Sequence, residues 1–293
     1  MIDNAFWQTI GKDISAATST DFSVVKADRI SGGDINQSFV VYNNQQHFFI
    51  KINNAEMAAM FEQEAYALKE IHNAKTIACP DVICRGATDS LSYLVLEYLI
   101  IDKSLQSNWY QYGRELAQLH EAAVHGQFGW QEDNFIGVTP QSNRWQSNWR
   151  SFFAEQRIGW QLQLLREKSI KLGNIDHIVD ACHKGLLHHK VFPSLVHGDL
   201  WQGNMGFCEG KPLIFDPACY YGDREVDIAM TELFGTLPQD FYQGYQSISV
   251  IPPGFEKRKH IYNLYHILNH ANLFGEVYID QAKASISRIL AFQ

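Results

Sequence analysis

The sequence predicts a two-lobed α+β fold, a β-rich N-terminal lobe followed by a mostly helical C-terminal lobe, and three observations carry that expectation. Short β-type runs alternate with one strong helical stretch up to about residue 95. From about Gln111 onward the apolar spacing is mainly helical. The one interruption in that second part is a small β segment around residues 195–216.

In the N-terminal part, Val24–Ile30, Phe39–Tyr42 and Phe48–Ile52 read as strands, the last two joined by the turn Asn43-Asn44-Gln45-Gln46. A helix is expected from about Ala55 to His72, and Tyr93–Tyr98 closes the lobe as a further strand. A connector near residues 98–105 then leads to the helical part, which puts the lobes at residues 1–100 and 101–293. A chain of 293 residues is long enough for two lobes that share a cleft.

Composition excludes several classes of function. Hydrophobic residues make up 46% and charged residues 19%, the profile of a globular protein with an ordinary core. A net charge of −8 argues against a nucleic-acid partner, which would require a basic footprint. The start, MIDNAFWQTIGKD, lacks the basic-then-apolar layout of a secretory signal. The longest apolar run, Leu94 to Ile101, is interrupted by Glu97 and falls short of the roughly 20 residues that span a bilayer, so no membrane partner is expected. Five cysteines without a Cys-x-x-Cys pair read as buried thiols in a reducing, cytoplasmic compartment.

The chemistry concentrates in the second part. Ser194-Leu195-Val196 runs into His197-Gly198-Asp199, and Asn204 follows Asp199 by five positions. Gly203–Phe207 and Pro212–Phe215, separated by Cys208-Glu209-Gly210-Lys211, form a plausible hairpin that brings Asn204 and Asp216 to one end. Phosphoryl transfer from ATP needs such a group. One carboxylate, Asp199, orients and deprotonates the attacking hydroxyl, and oxygen ligands, Asn204 and Asp216, hold Mg²⁺ against the phosphates. The Asp-x-x-x-x-Asn spacing is that of a kinase catalytic loop, so the fold expected is protein-kinase-like.

The first part supplies an independent signal. Lys51 sits near the end of a strand, as a phosphate-binding lysine would. The following helix carries an apolar stripe of Met57, Phe61, Leu68 and Ile71, with Glu64 where another apolar residue is expected. A carboxylate on a buried stripe needs a partner, and Lys51 is the evident one. Gly32 and Gly33 lie in a β-turn able to put backbone N–H groups near phosphates, or in a plain hairpin turn. Main-chain groups around Glu97 and Leu99, at the connector, would meet an adenine.

Competing motifs fail. His120 and His125 are five apart, and five residues turn a helix through about 500°, which separates the imidazoles by roughly 140° and rules out a zinc-protease pair. His188-His189 lacks further ligands at metal spacing, and no Gly-x-Ser-x-Gly elbow is present.

Through nearly its whole length the chain resembles the fructosamine kinase (ketosamine kinase) family, within the group that includes aminoglycoside and choline kinases. The residues that carry the resemblance are His197-Gly198-Asp199-Leu200-Trp201-Gln202-Gly203-Asn204, Phe215-Asp216-Pro217-Ala218, Tyr221-Gly222-Asp223-Arg224-Glu225, Leu264 to His270 with Phe274-Gly275, and the segment Phe128 to Gly137. The resemblance implies transfer of the ATP γ-phosphoryl group to a sugar hydroxyl of a ketosamine, free or protein-bound. Trp201 would then stack on the sugar ring or pack as a core indole beneath the loop. Asp223 and Glu225 would attract a protonated amine or remain merely solvated, and Asp227 would brace the loop from below. Alternatives on the same scaffold are a kinase of another small molecule and a silent nucleotide-binding protein. The redox-active cysteine that some family members carry in the nucleotide loop has no counterpart between Gly32 and Ser38, so no such switch is expected.

Overall fold

The computed structural model describes residues 2–30, 35–102 and 108–292. Helix α1 (Asn4–Thr18) comes first, its N-terminus capped by the Asp3 carboxylate, which accepts from the Phe6 N–H at 2.9 Å. Strands β1 (Lys26–Ile30), β2 (Gln37–Tyr42), β3 (His47–Asn54), β4 (Val82–Ala87) and β5 (Leu91–Glu97) build one antiparallel sheet in the order β1-β2-β3-β5-β4. The β2–β3 turn is closed by Asn43, whose Oδ1 accepts from the N–H groups of Gln45 and Gln46. Helix α2 (Ala58–Ala74) joins β3 to β4, entered through a 3₁₀ turn over Ala55–Met57.

Strand alternation gives the sheet two buried faces. Phe48, Ile50 and Ile52 of β3 and Tyr93 and Val95 of β5 pack with Phe6, Ile10 and Ile14 of α1. Leu94 and Leu96 take the opposite face and meet Met60, Phe61, Leu68 and Ile71 of α2. Lys51, set between Ile50 and Ile52, therefore points towards α2. Neither α1 nor β4 is among the elements expected from sequence. Gly11 and Thr9 weaken the helical reading of α1, and the register of β4 shifts between Val82 and Cys84, which breaks its alternation.

The second part is helical with three small two-stranded antiparallel pairs. In order come α3 (Trp109–Ala122), β6 (Asn134–Ile136), β7 (Thr139–Gln141), α4 (Trp149–Phe153), α5 (Trp160–Glu167) and α6 (Ile175–Gly185). Then follow β8 (Ser194–Val196), β9 (Met205–Cys208), β10 (Lys211–Ile214), β11 (Tyr220–Gly222) and α7 (Glu225–Met230). Helices α8 (Gln239–Gln246), α9 (Phe255–Phe274) and α10 (Glu276–Leu290) complete the chain. Strands β9 and β10 pair from Met205↔Ile214 to Cys208↔Lys211, and Glu209 and Gly210 both take positive φ in the two-residue turn between them. No helix among the described residues is long and apolar enough to cross a membrane.

Candidate active site

The loop after β8 is fixed from beneath by one buried carboxylate. Asp227 of α7 accepts from the backbone N–H groups of His197 at 2.7 Å and Gly198 at 2.9 Å. Its Oδ2 also meets His120 Nε2 at 3.1 Å, and His120 Nδ1 meets the Tyr245 hydroxyl at 2.8 Å. Burial alone would raise the Asp227 carboxyl, but the His120 and His197 rings and the Gly198 N–H hold it below its usual range. His197 Nε2 donates to the Phe215 carbonyl at 3.0 Å, and its Nδ1 accepts from the Asp199 N–H at 3.3 Å. Gly198 is required here: its φ is 81°, and a Cβ would stand 2.2 Å from the Ala218 carbonyl oxygen.

This clamp sets Asp199 opposite the β9–β10 hairpin. Asn204 donates from Nδ2 to the Asp199 carbonyl at 2.9 Å and to its Oδ2 at 3.1 Å. The Phe215 N–H donates to the Asn204 carbonyl at 3.2 Å, so the chain that carries Asp216 returns beside Asn204. Asp216 itself has φ 59°, a left-handed conformation that a non-glycine residue rarely takes. Burial, and then the neighbouring Asp216 carboxylate, push Asp199 up to about 7, with the Asn204 hydrogen bond opposing them. Because Asn204 spends its Nδ2 on Asp199, its Oδ1 and the Asp216 carboxylate form an all-oxygen donor set of the kind a hard divalent cation takes, so these residues fit magnesium.

Lys51 reaches the same place from the sheet. Its Nζ lies 2.7 Å from Glu64 Oε1 and 2.5 Å from Asp216 Oδ1. Burial pulls Lys51 down, but the Asp216 and Glu64 carboxylates outweigh it and raise the ammonium above its ordinary value. The structure thus joins three sequence candidates, one each from β3, α2 and the segment after β10, in a single ion-pair group.

The other candidates divide. Gly32 and Gly33 lie outside the described residues. Glu97 ends β5 with its N–H bound to the Asp81 carbonyl at 2.9 Å, and Leu99 follows in irregular backbone, half-buried. Trp201 is not a core indole: it is 40% exposed, lies over Gly203 and meets Phe234 edge-on at 6.2 Å. Asp223 and Glu225 require a correction, because they are neither solvated nor directed into the cleft. Arg258 grips Glu225 through Nε and one terminal nitrogen at 2.7 and 2.6 Å, while His189 and the Tyr262 hydroxyl hold Asp223 at 2.6 and 2.5 Å. Both carboxylates are buried, and their charges are compensated by a structural tie between α7, α9 and the segment after α6.

Lys51, Glu64, Asp199, Trp201, Asn204 and Asp216 line one cleft of about 490 Å³ between the sheet and the helical part. Its far rim is aromatic, with Phe234, His270, Phe274 and Tyr278 beside Trp201. A larger groove of about 620 Å³ runs along the outer side of α2, where Arg85 pairs with Glu62 and His72 with Asp81. His120 and the aromatic rim were not expected from sequence. The signal for His120 was available, since it follows Leu116 by four positions on the buried stripe of α3, just as Glu64 follows Met60 and Phe61 on α2.

Residues 6–292 match the model of the family described as fructosamine kinase. The chain belongs to that family. It is 46% identical over 288 residues to a "probable ketoamine kinase" of Vibrio parahaemolyticus, covering 98% of this chain and 100% of that protein. A second "probable ketoamine kinase", from Synechocystis, is 46% identical over 285 residues, 97% of each chain. A crystal structure assigned as a fructosamine-3-kinase of Haemophilus somnus superposes with a TM-score of 0.92 at 34% identity, covering 96% of both chains. An aminoglycoside phosphotransferase in complex with AMP-PNP and hygromycin B gives a TM-score of 0.63 at 15% identity, covering 97% of this chain and 98% of that one. That last likeness is one of fold, and the fold is kinase-like. As a fructosamine kinase family member, the chain is a phosphotransferase with a hydroxyl acceptor, its β-rich N-terminal lobe set against a helical C-terminal lobe.

Proposed function

We propose that the chain transfers the γ-phosphoryl group of ATP to a sugar hydroxyl of a ketosamine, with Asp199 as the base and the two lobes dividing near residue 100. The observation that carries this reading is the meeting of Asp199, Asn204, Asp216 and Lys51 in one cleft of a fructosamine kinase family member.

Each residue has a part suited to its surroundings. The acceptor hydroxyl donates to the Asp199 carboxylate, which takes the proton as the oxygen attacks the γ-phosphorus and the bond from that phosphorus to the leaving ADP breaks. Asn204 keeps that carboxylate aimed while Asp227 holds the loop beneath it. Lys51, oriented by Glu64, binds phosphate oxygens. Main-chain groups near Glu97 and Leu99 bind the adenine. Asn204 and Asp216 would hold Mg²⁺, whose charge would neutralise the phosphates and offset the repulsion between Asp199 and Asp216. Trp201, 40% exposed and part of the cleft lining, stacks on the sugar. Asp223 and Glu225 take no part in substrate binding, because their charges are spent within the protein.

The test is ADP release by the purified chain across a panel of acceptors: a fructosamine, a ribulosamine, the parent sugars, choline and an aminoglycoside. The reading expects turnover with the ketosamines and little with the rest. Turnover confined to choline or the aminoglycoside would transfer the activity to another small-molecule alcohol.

A further inference from the structure

Asn204 engages one oxygen of Asp199; the other faces a histidine on α9. His266 Nδ1 lies 3.8 Å from Asp199 Oδ1, with the His266 side chain 5% exposed and that of Asp199 25% exposed. At that distance no hydrogen bond is formed. Nδ1 is buried and has no hydrogen-bond partner among the described residues, a costly condition for a ring nitrogen. Tyr265 meets the ring edge-on at 5.1 Å.

Burial pushes the imidazole down to about 3, so His266 is neutral and carries a single ring proton. A carboxylate oxygen facing Nδ1 accepts and cannot donate when ionised, which favours the tautomer with the proton on Nδ1. Hydrogen bonds at catalytic groups commonly tighten only when the substrate complex forms.

Resting on the reading of Asp199 as the base, we propose that His266 is a positioning residue, which donates from Nδ1–H to Asp199 Oδ1 as the reactive complex closes. Asn204 then fixes one carboxylate oxygen and His266 the other, so the plane of Asp199 is set from both sides and its remaining lone pair is aimed at the acceptor hydroxyl. The buried orphan nitrogen is thereby satisfied at the moment of reaction.

Three substitutions test this. Asn puts an amide N–H near the place of Nδ1, Gln reaches instead towards the place of Nε2, and Leu keeps bulk without a donor. His266→Leu and His266→Gln are expected to lower kcat on a ketosamine about 10- to 100-fold, with the KM for ATP within about twofold. His266→Asn is expected to recover to within about fivefold of the parent. If Leu proves unstable, the Asn and Gln pair carries the comparison. A Leu variant with the parent kcat, or an Asn variant no better than Gln, would overturn the proposal. A second arm is independent of any acceptor: the ¹⁵N spectrum of the labelled protein should show Nδ1 protonated, with its resonance moved by Asp199→Asn. An unprotonated Nδ1, or a resonance indifferent to that change, overturns the positioning role. Absence of ketosamine turnover in the parent chain, by contrast, defeats the proposed substrate, and the ¹⁵N arm then decides His266 alone.

Discussion

At the scale of single residues, the side chains around Asp199 differ in what their surroundings let them do. Trp201 rests over Gly203 with 40% of its surface exposed, so it can give up one face to a sugar ring without disturbing the core. Trp201→Ala is expected to raise the KM for the acceptor about 3- to 10-fold, with the KM for ATP unchanged, and Trp201→Phe to retain most of the affinity. Steady-state kinetics in both substrates would check this, and an Ala variant with altered ATP affinity alone would contradict it. The Lys51–Glu64 contact was legible in the sequence because a glutamate interrupting an apolar stripe has few ways to be satisfied. The fate of Asp223 and Glu225 was not legible. Their partners Arg258, Tyr262 and His189 are distant in sequence, and a run of charged residues does not reveal which of them tertiary packing will bury.

At the scale of elements, each functional side chain owes its direction to a periodic structure. Alternation along β3 turns Lys51 to the α2 face, and removing it would leave Glu64 without its cation in a mostly buried place. Lys51→Met is expected to destabilise the protein by about 3 kcal/mol and to raise the KM for ATP, measured by urea unfolding and by kinetics. The loop after β8 hangs on α7 through Asp227. Asp227→Ala would leave the His197 and Gly198 N–H groups unpaired, at about 1–3 kcal/mol each, and should depress kcat as well as stability. Asp227→Asn, which retains one acceptor, should lie between the variant and the parent. The β9–β10 hairpin was legible from the turn residues Glu209 and Gly210 between two apolar runs. Helix α1 was not, although its buried positions Phe6, Ile10 and Ile14 follow a four-residue spacing. That stripe has a purpose only once β3 and β5 present a second face for it to cover.

At the scale of the whole molecule, the cleft draws Lys51 and Glu64 from the N-terminal part and Asp199, Asn204 and Asp216 from the helical part, with Asn204 and Asp216 offering oxygen donors. Chelation by EDTA should therefore abolish turnover, and added Mg²⁺ or Mn²⁺ should restore it; activity that persists in EDTA would contradict the cation-binding roles of Asn204 and Asp216. Burial pushes the Cys79 and Cys182 thiols up to about 12, and Cys84 likewise with help from Asp13, so none of the three is a ready nucleophile near neutral pH. The central claim is that Asp199 activates a ketosamine hydroxyl towards ATP. It is tested most directly by ketosamine-dependent ADP release from the parent chain and from Asp199→Asn, with nucleotide affinity measured alongside. Turnover is expected in the parent, with a fall of about 10²- to 10⁴-fold in kcat for the variant and nucleotide affinity within about twofold. Full turnover by Asp199→Asn, or a parent that binds ATP yet phosphorylates no ketosamine, would contradict that claim.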